Sequence, residues 1–148
     1  MAQNNKTNCP IVEINMPGVM GFEKIARDAA AALAVEMGFS PDRIEDLKTA
    51  VSEACMNAVE HGNAGNPASS VQILLRVEAS SLSVLVHDEG QHAAPEEFPE
   101  PGLPDRTRGW GLFFIDQLMD EVKFERLPEG GNQIIMVIHL SEVDSAAV

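Results

Sequence analysis

Three short stretches of this chain carry residue types that can handle a phosphorylated ligand. The first is Val51-Ser52-Glu53-Ala54-Cys55-Met56-Asn57-Ala58-Val59-Glu60-His61-Gly62. On a helix, a carboxylate at 53 and a carboxamide at 57 stand at i and i+4 and point to one spot. Mg²⁺ usually takes one or two protein oxygens and fills its shell with phosphate and water, so Asn57 suits a magnesium nucleotide. Glu53, kept off the metal, can accept the proton of an attacking hydroxyl. Taken singly, Glu53 is an ordinary solvent-facing helix glutamate. Asn57 is less ordinary, because asparagine is a weak helix former and has no cap to make in mid-helix.

The second stretch, Val86-His87-Asp88-Glu89-Gly90, ends an apolar run with a carboxylate and a glycine. Asp88 can accept a hydrogen bond from the exocyclic amine of adenine, and Gly90 lets the backbone pass close beneath the ring. A bare Asp-x-Gly also ends many strands as a plain turn. The third stretch is Thr107-Arg108-Gly109-Trp110-Gly111-Leu112. Gly109 and Gly111 at a helix start leave backbone N–H groups uncovered, and the helix dipole there favours phosphate. Arg106 or Arg108 can add a charge-assisted contact. Neither the phosphate-loop pattern ending in Gly-Lys-Ser/Thr nor the full Gly-x-Gly-x-x-Gly pattern occurs.

The elements that must position these residues follow from periodicity. Pro10 to Met16 alternates as a strand closed by Pro17-Gly18. From about Val19 to Met37 the spacing Phe22, Ile25, Ala29, Leu33, Met37 predicts an apolar helix face, ended by Gly38. Ser40-Pro41 caps and starts a second helix that runs to about His61. Its apolar stripe is Ile44, Leu47, Val51, Cys55 and Ala58, with Glu53 and Asn57 nearly opposite. Val71–Val77 and Leu82–Val86 read as a hairpin. Residues 89–108 hold four of the nine prolines and no period, and are expected to form a lid. A third helix from Gly109 to about Glu121 and strands near Val122–Leu127 and Gln133–Leu140 complete the set, with Ser141–Val148 as a tail. The expected fold class is α+β, a two-layer sandwich with helices on one face of a mixed β-sheet.

Bulk properties narrow the function. At 148 residues the chain supports one hydrophobic core, so 1–148 is expected to be a single domain, ordered over about 10–140. A formal charge of −13 repels a nucleic-acid backbone, so no direct nucleic-acid partner is expected. The polar start and the lack of a long apolar run imply a cytoplasmic protein with no membrane association. Cys9 and Cys55 form no disulfide framework or Cys-x-x-Cys site, and Cys55 reads as a small core residue. His61, His87, His92 and His139 show no ligand spacing.

A Glu/Asn helix, a strand ending in Asp-x-Gly, a loop, and Gly-x-Gly opening a helix resemble, in that order, the nucleotide site shared by DNA gyrase, the sensor histidine kinases and their relatives. Ile44-Glu45-Asp46-Leu47-Lys48, Ala50 to Cys55, Asn57-Ala58-Val59 and Leu118-Met119-Asp120-Glu121-Val122 resemble the RsbW-type anti-sigma serine kinases, a likeness covering about Pro10 to Leu140. It implies a Bergerat-type ATP-binding fold with ATP and Mg²⁺ as cofactors. It implies a serine/threonine-protein kinase that phosphorylates an anti-anti-sigma protein of STAS type and sequesters a sigma factor, in transcription regulation and stress response. By position, Asn57 would bind Mg²⁺, Glu53 would be the base, Asp88 with Gly90 would hold adenine, and Arg108, Gly109 and Gly111 would hold phosphate. The resemblance also implies a homodimer through the first strand and helix, with the surface around Lys24 and Arg27 meeting sigma factor or antagonist. One departure is His92, where many members have a second glycine. The alternative left open is a nucleotide-binding module that sequesters its partner without phosphotransfer.

Overall fold

The computed structural model describes residues 9–62, 68–90, 106–141 and 144, with the side chains of 61–62 and 106–110 outside that description. Five strands, β1 (Ile11–Pro17), β2 (Ser70–Val77), β3 (Ser81–Asp88), β4 (Glu121–Arg126) and β5 (Asn132–His139), form one sheet in the order β1-β2-β3-β5-β4. Three helices, α1 (Glu23–Met37), α2 (Pro41–Asn57) and α3 (Arg106–Leu118), accompany it. Strand residues alternate as the pleat requires: Ile73, Val84, Val86, Met136 and Ile138 are buried against the helices, while Leu74, Leu85 and Ile135 are half-buried on the other face. The fold class is as expected, a helix layer on one face of a sheet.

The sheet, expected to be mixed, is antiparallel at every neighbouring pair. The cause is connectivity. Two helices in series return the chain after β1, so β2 runs back beside it. After β3, α3 and β4 the final hairpin inserts β5 between β3 and β4, which separates the two strands that share a direction.

Helix ends follow local chemistry. Ser40 Oγ accepts the Arg43 N–H and Pro41 fills the first position of α2. Gly38 ends α1 at φ +93°, its N–H donating to the Ala34 and Val35 carbonyls. α1 departs from expectation. It starts at Glu23, and its fully buried stripe is Ala26, Ala30 and Ala34; of the expected face Ala29, Leu33 and Met37 are partly buried against the core, while Phe22 and Ile25 are exposed. Alanines let α1 and α2 approach closely, with Leu33 and Met37 at the margin of the contact and Ile25 54% exposed. α3 begins at Arg106, three residues before the expected Gly109. The lid expected over 89–108, including His92, lies for residues 91–105 outside the described residues.

Candidate functional site

Glu53 and Asn57 are half-buried, on the side of α2 that packs against α3. Gly111 is the reason they fit. A Cβ placed there would lie 2.8 Å from Glu53 Oε2 and 3.3 Å from Asn57 Nδ2, so glycine allows the two helices to meet over these side chains. The α-helix ends at Asn57 and the chain continues as a π-helical turn, Ala58–Gly62. Such a widened turn is rare and is found often at functional sites. Burial, and then the nearby negative charge of Glu60, raise the Glu53 carboxyl above its usual range. A raised carboxyl pKa makes a stronger base, the property a proton acceptor needs.

Asp88 closes β3 with only 7% of its surface exposed. Its Oδ1 accepts the Gly90 N–H at 2.8 Å and Asn132 Nδ2 at 3.4 Å. Burial pushes its pKa up, while the Gly90 N–H and both the side-chain amide and main-chain N–H of Asn132 pull it back. Asp88 and Asn57 line the same pocket, together with Ala54, Val86, Leu112 and Phe124. The pocket is lined mostly by apolar groups with a few convergent polar ones, the usual make-up of a small-molecule site. Its interior volume is about 30 Å³, room for little more than water, so a purine enters only as the walls part.

Asn57 Nδ2 is buried without a hydrogen-bond partner in this wall. Because the two ends of a carboxamide are assigned from their partners, the group can equally turn its oxygen to a cation. Among the described residues no group of three or more His, Cys, Asp or Glu forms a metal cluster. A single amide oxygen beside a pocket fits Mg²⁺ carried in by phosphates better than a resident ion in a protein cage.

The two glycines of the third stretch sit differently from expectation. Gly109 is the fourth residue of α3, within the set of N–H groups that have no partner inside the helix, and Gly111 is the sixth, past that set. Gly111 therefore contributes by having no side chain. The Arg106 and Arg108 side chains lie outside the described residues. Gly90, two residues after Asp88, holds its carboxylate through its main-chain N–H. Glu53, Asn57 and Gly111 are thus one cluster, and Asn57 and Asp88 share one pocket.

Two residues escaped the sequence reading. Asn132 faces Asp88 across the β3–β5 pairing. Gly131, at φ +91°, passes so close that a Cβ would run into the Asp88 carbonyl oxygen and come within 2.8 Å of His87 Nε2. The glycine pair before Asn132 was legible only as a turn; its partner strand was not. Cys55 is the core residue expected, fully buried with its thiol pushed up to about 12 by burial, and His139 Nε2 lies 2.8 Å from Glu121 Oε2.

Residues 23–138 match the family described as the histidine kinase-like ATPase domain. The chain is 32% identical to the serine-protein kinase RsbW of Oceanobacillus iheyensis, over 92% of this chain and 90% of that one. It is 35% identical to the serine-protein kinase RsbW of Bacillus subtilis, over 81% of each. Among solved structures, the RsbU and RsbW domains of a Mycobacterium tuberculosis protein superpose with a TM-score of 0.66 at 22% identity, over 88% of this chain and 32% of that chain. The histidine kinase domain of a blue-light activated kinase from Erythrobacter litoralis gives 0.56 at 21% identity, over 88% of this chain and 64% of that one. At such identities the likeness is one of fold.

Proposed function

The chain belongs to the histidine kinase-like ATPase family, in company with the RsbW serine-protein kinases, and from that we propose that it is an ATP-dependent serine-protein kinase and anti-sigma factor. Its substrate is a STAS-type anti-anti-sigma protein, and its sequestered partner is a sigma factor in a stress-responsive regulon. The observation that carries the reading is the junction of Glu53 and Asn57 against Gly111, with Asn57 and Asp88 lining one pocket.

In the proposed reaction Asp88 accepts the adenine exocyclic N–H while Gly90 passes beneath the ring. Gly109, with the α3 dipole and the Arg108 guanidinium, holds phosphate, and Gly111, having no side chain, lets α3 close over Glu53 and Asn57. Bound through the Asn57 oxygen, Mg²⁺ would neutralise charge on the phosphates. The acceptor serine Oγ attacks the γ-phosphorus as the bond to the ADP oxygen breaks, and Glu53 takes the hydroxyl proton.

Other features support the partners. Beside Glu53 a groove lined by Arg27, Glu45, Lys48, Thr49 and Ser52 opens between α1 and α2, a path by which an acceptor loop with acidic character can reach the base. β1 is a sheet edge bearing exposed Ile11 and Val12, and Val19, Met20, Phe22 and Ile25 extend that apolar surface to α1. Edge and patch together suit a homodimer. No helix among the described residues is long and apolar enough to cross a membrane, in keeping with a cytoplasmic role. The test is labelled ATP with a candidate STAS-type acceptor. Phosphotransfer that depends on Mg²⁺ and is lost in Glu53→Gln is expected; transfer untouched by that substitution removes Glu53 as base. ATP binding with no transfer to any partner would leave a module that sequesters only.

A further inference from the structure

The first turn of α2 carries a cation at the unfavourable pole. Arg43 is the third residue of the helix, where the dipole favours acids. Its guanidinium leaves its own helix: Nη2 lies 2.7 Å from Asp120 Oδ2, against 3.9 Å from Nη1 to Asp46. Asp120 follows α3 at the corner into β4. The same Oδ2 accepts the His139 main-chain N–H at 2.7 Å, and the Asp120 N–H donates to the Val137 carbonyl at 3.0 Å. Asp120 is therefore pinned to β5, and Arg43 is pinned to Asp120.

α2 and α3 run antiparallel, meeting at Arg43 and Asp120 at one end and at Glu53, Asn57 and Gly111 at the other. At 1.5 Å per residue, Arg43 and Glu53 stand roughly 15 Å apart along the helix. Between them lie buried Leu47 and Val51, with Leu112 and Ile115 on the α3 side. Apolar packing sets how far apart the helices lie but is weakly directional along their axes. A charge-assisted, directional contact fixes that sliding coordinate. At the far end the contact is close, since a methyl group on Gly111 would meet Glu53 Oε2 at 2.8 Å and Asn57 Nδ2 at 3.3 Å and displace them.

We propose that Arg43 and Asp120 are positioning residues, a clasp that sets the axial register of α2 on α3 and so places the Asn57 oxygen relative to bound triphosphate. The clasp rests on the nucleotide reading given above. A half-exposed ion pair adds little to stability, so its effect is read in geometry: the part of ATP affinity that runs through the metal.

Calorimetric titration of the full chain with ATP, in Mg²⁺ and in EDTA, tests this for wild type, Arg43→Met, Arg43→Lys, Asp120→Asn and the Met/Asn double variant. Asp120→Asn keeps an acceptor for the His139 N–H, which separates loss of the clasp from loss of the sheet contact. The Mg²⁺-dependent gain in affinity should fall about three- to tenfold in Arg43→Met and Asp120→Asn, with affinity in EDTA within roughly twofold of wild type. Arg43→Lys should recover most of the gain, and the double variant should be no worse than the weaker single one. Equal weakening with and without Mg²⁺, or variants indistinguishable from wild type, overturns the clasp. Wild-type protein that binds no ATP overturns the nucleotide reading and the proposal with it, a result distinct from normal wild-type binding with indifferent variants.

Discussion

Gly111 and Glu53 stand so close that a single methyl group separates a stability effect from a functional one. In Gly111→Ala the new Cβ meets Glu53 Oε2, the end of a flexible side chain that can swing away. Removing a helix glycine also gains up to about 1 kcal/mol of helix propensity. The expected outcome is an unchanged or raised melting temperature with phosphotransfer down by at least about tenfold, because the base is displaced; loss of both would mean that the helix contact itself had failed. Asp88 gives a second test. Its carboxyl accepts the adenine amine most strongly when ionised, and burial raises its pKa above the ordinary value near 3.8. ATP affinity should therefore be full above the raised pKa and decline as pH falls through it, at a higher pH than an exposed aspartate would allow. Asp88→Asn should weaken ATP by at least about tenfold, ~1.4 kcal/mol, and flatten that acid limb in calorimetry. An acid limb that persists in the variant would assign it to another group.

Among the elements, α2 bears the most, and its N-terminus is held from the far end of the chain. Asp144, 1% exposed, accepts the Ser40 N–H through Oδ1 at 2.9 Å and the Ser141 N–H and Oγ–H through Oδ2, both at 2.9 Å. These hydrogen bonds outweigh its burial and lower the carboxyl to about 2. A depressed folded pKa stabilises the fold above the unfolded value near 3.8, and that contribution is lost as pH falls toward about 2. Asp144→Asn should thus lower unfolding free energy by about 1–2 kcal/mol at neutral pH, with the gap to wild type closing by pH 2. Urea denaturation across that range measures it, and a gap independent of pH would sink the assignment. The two sheet edges differ in the same physical terms. β4 exposes Glu121, Lys123 and Arg126, charges that discourage edge pairing, whereas β1 exposes Ile11 and Val12.

For the whole molecule, that asymmetry bears on assembly. The charge of −13 is spread over a chain whose exposed large apolar residues fall mainly on β1 and the start of α1. If this surface carries the proposed homodimer, Ile25→Glu should shift sedimentation from dimer to monomer with the far-ultraviolet spectrum unchanged; a monomeric wild type, or a dimer indifferent to the substitution, would remove the assignment. The fold class, the five strands and three helices, and the order of the chemical stretches were legible from the chain. Alternation, capping by Ser40-Pro41 and Gly38, and turn residues are relations between near neighbours, and a linear pattern records them. The face that α1 buries was legible only in part: Ala29, Leu33 and Met37 do pack against the core, but the alanine stripe of Ala26, Ala30 and Ala34 lies deeper, because how closely α2 approaches decides it. Nor were Asn132 and Gly131 legible beside Asp88, since strand order depends on β5 inserting between β3 and β4. The chain by itself determined which residues could serve a nucleotide and the elements that bear them. Only the tertiary structure decided that Glu53 and Asn57 are half-buried against a helix, because α3 arrives over them where Gly111 lacks a side chain, a contact between segments remote in sequence that no local pattern encodes.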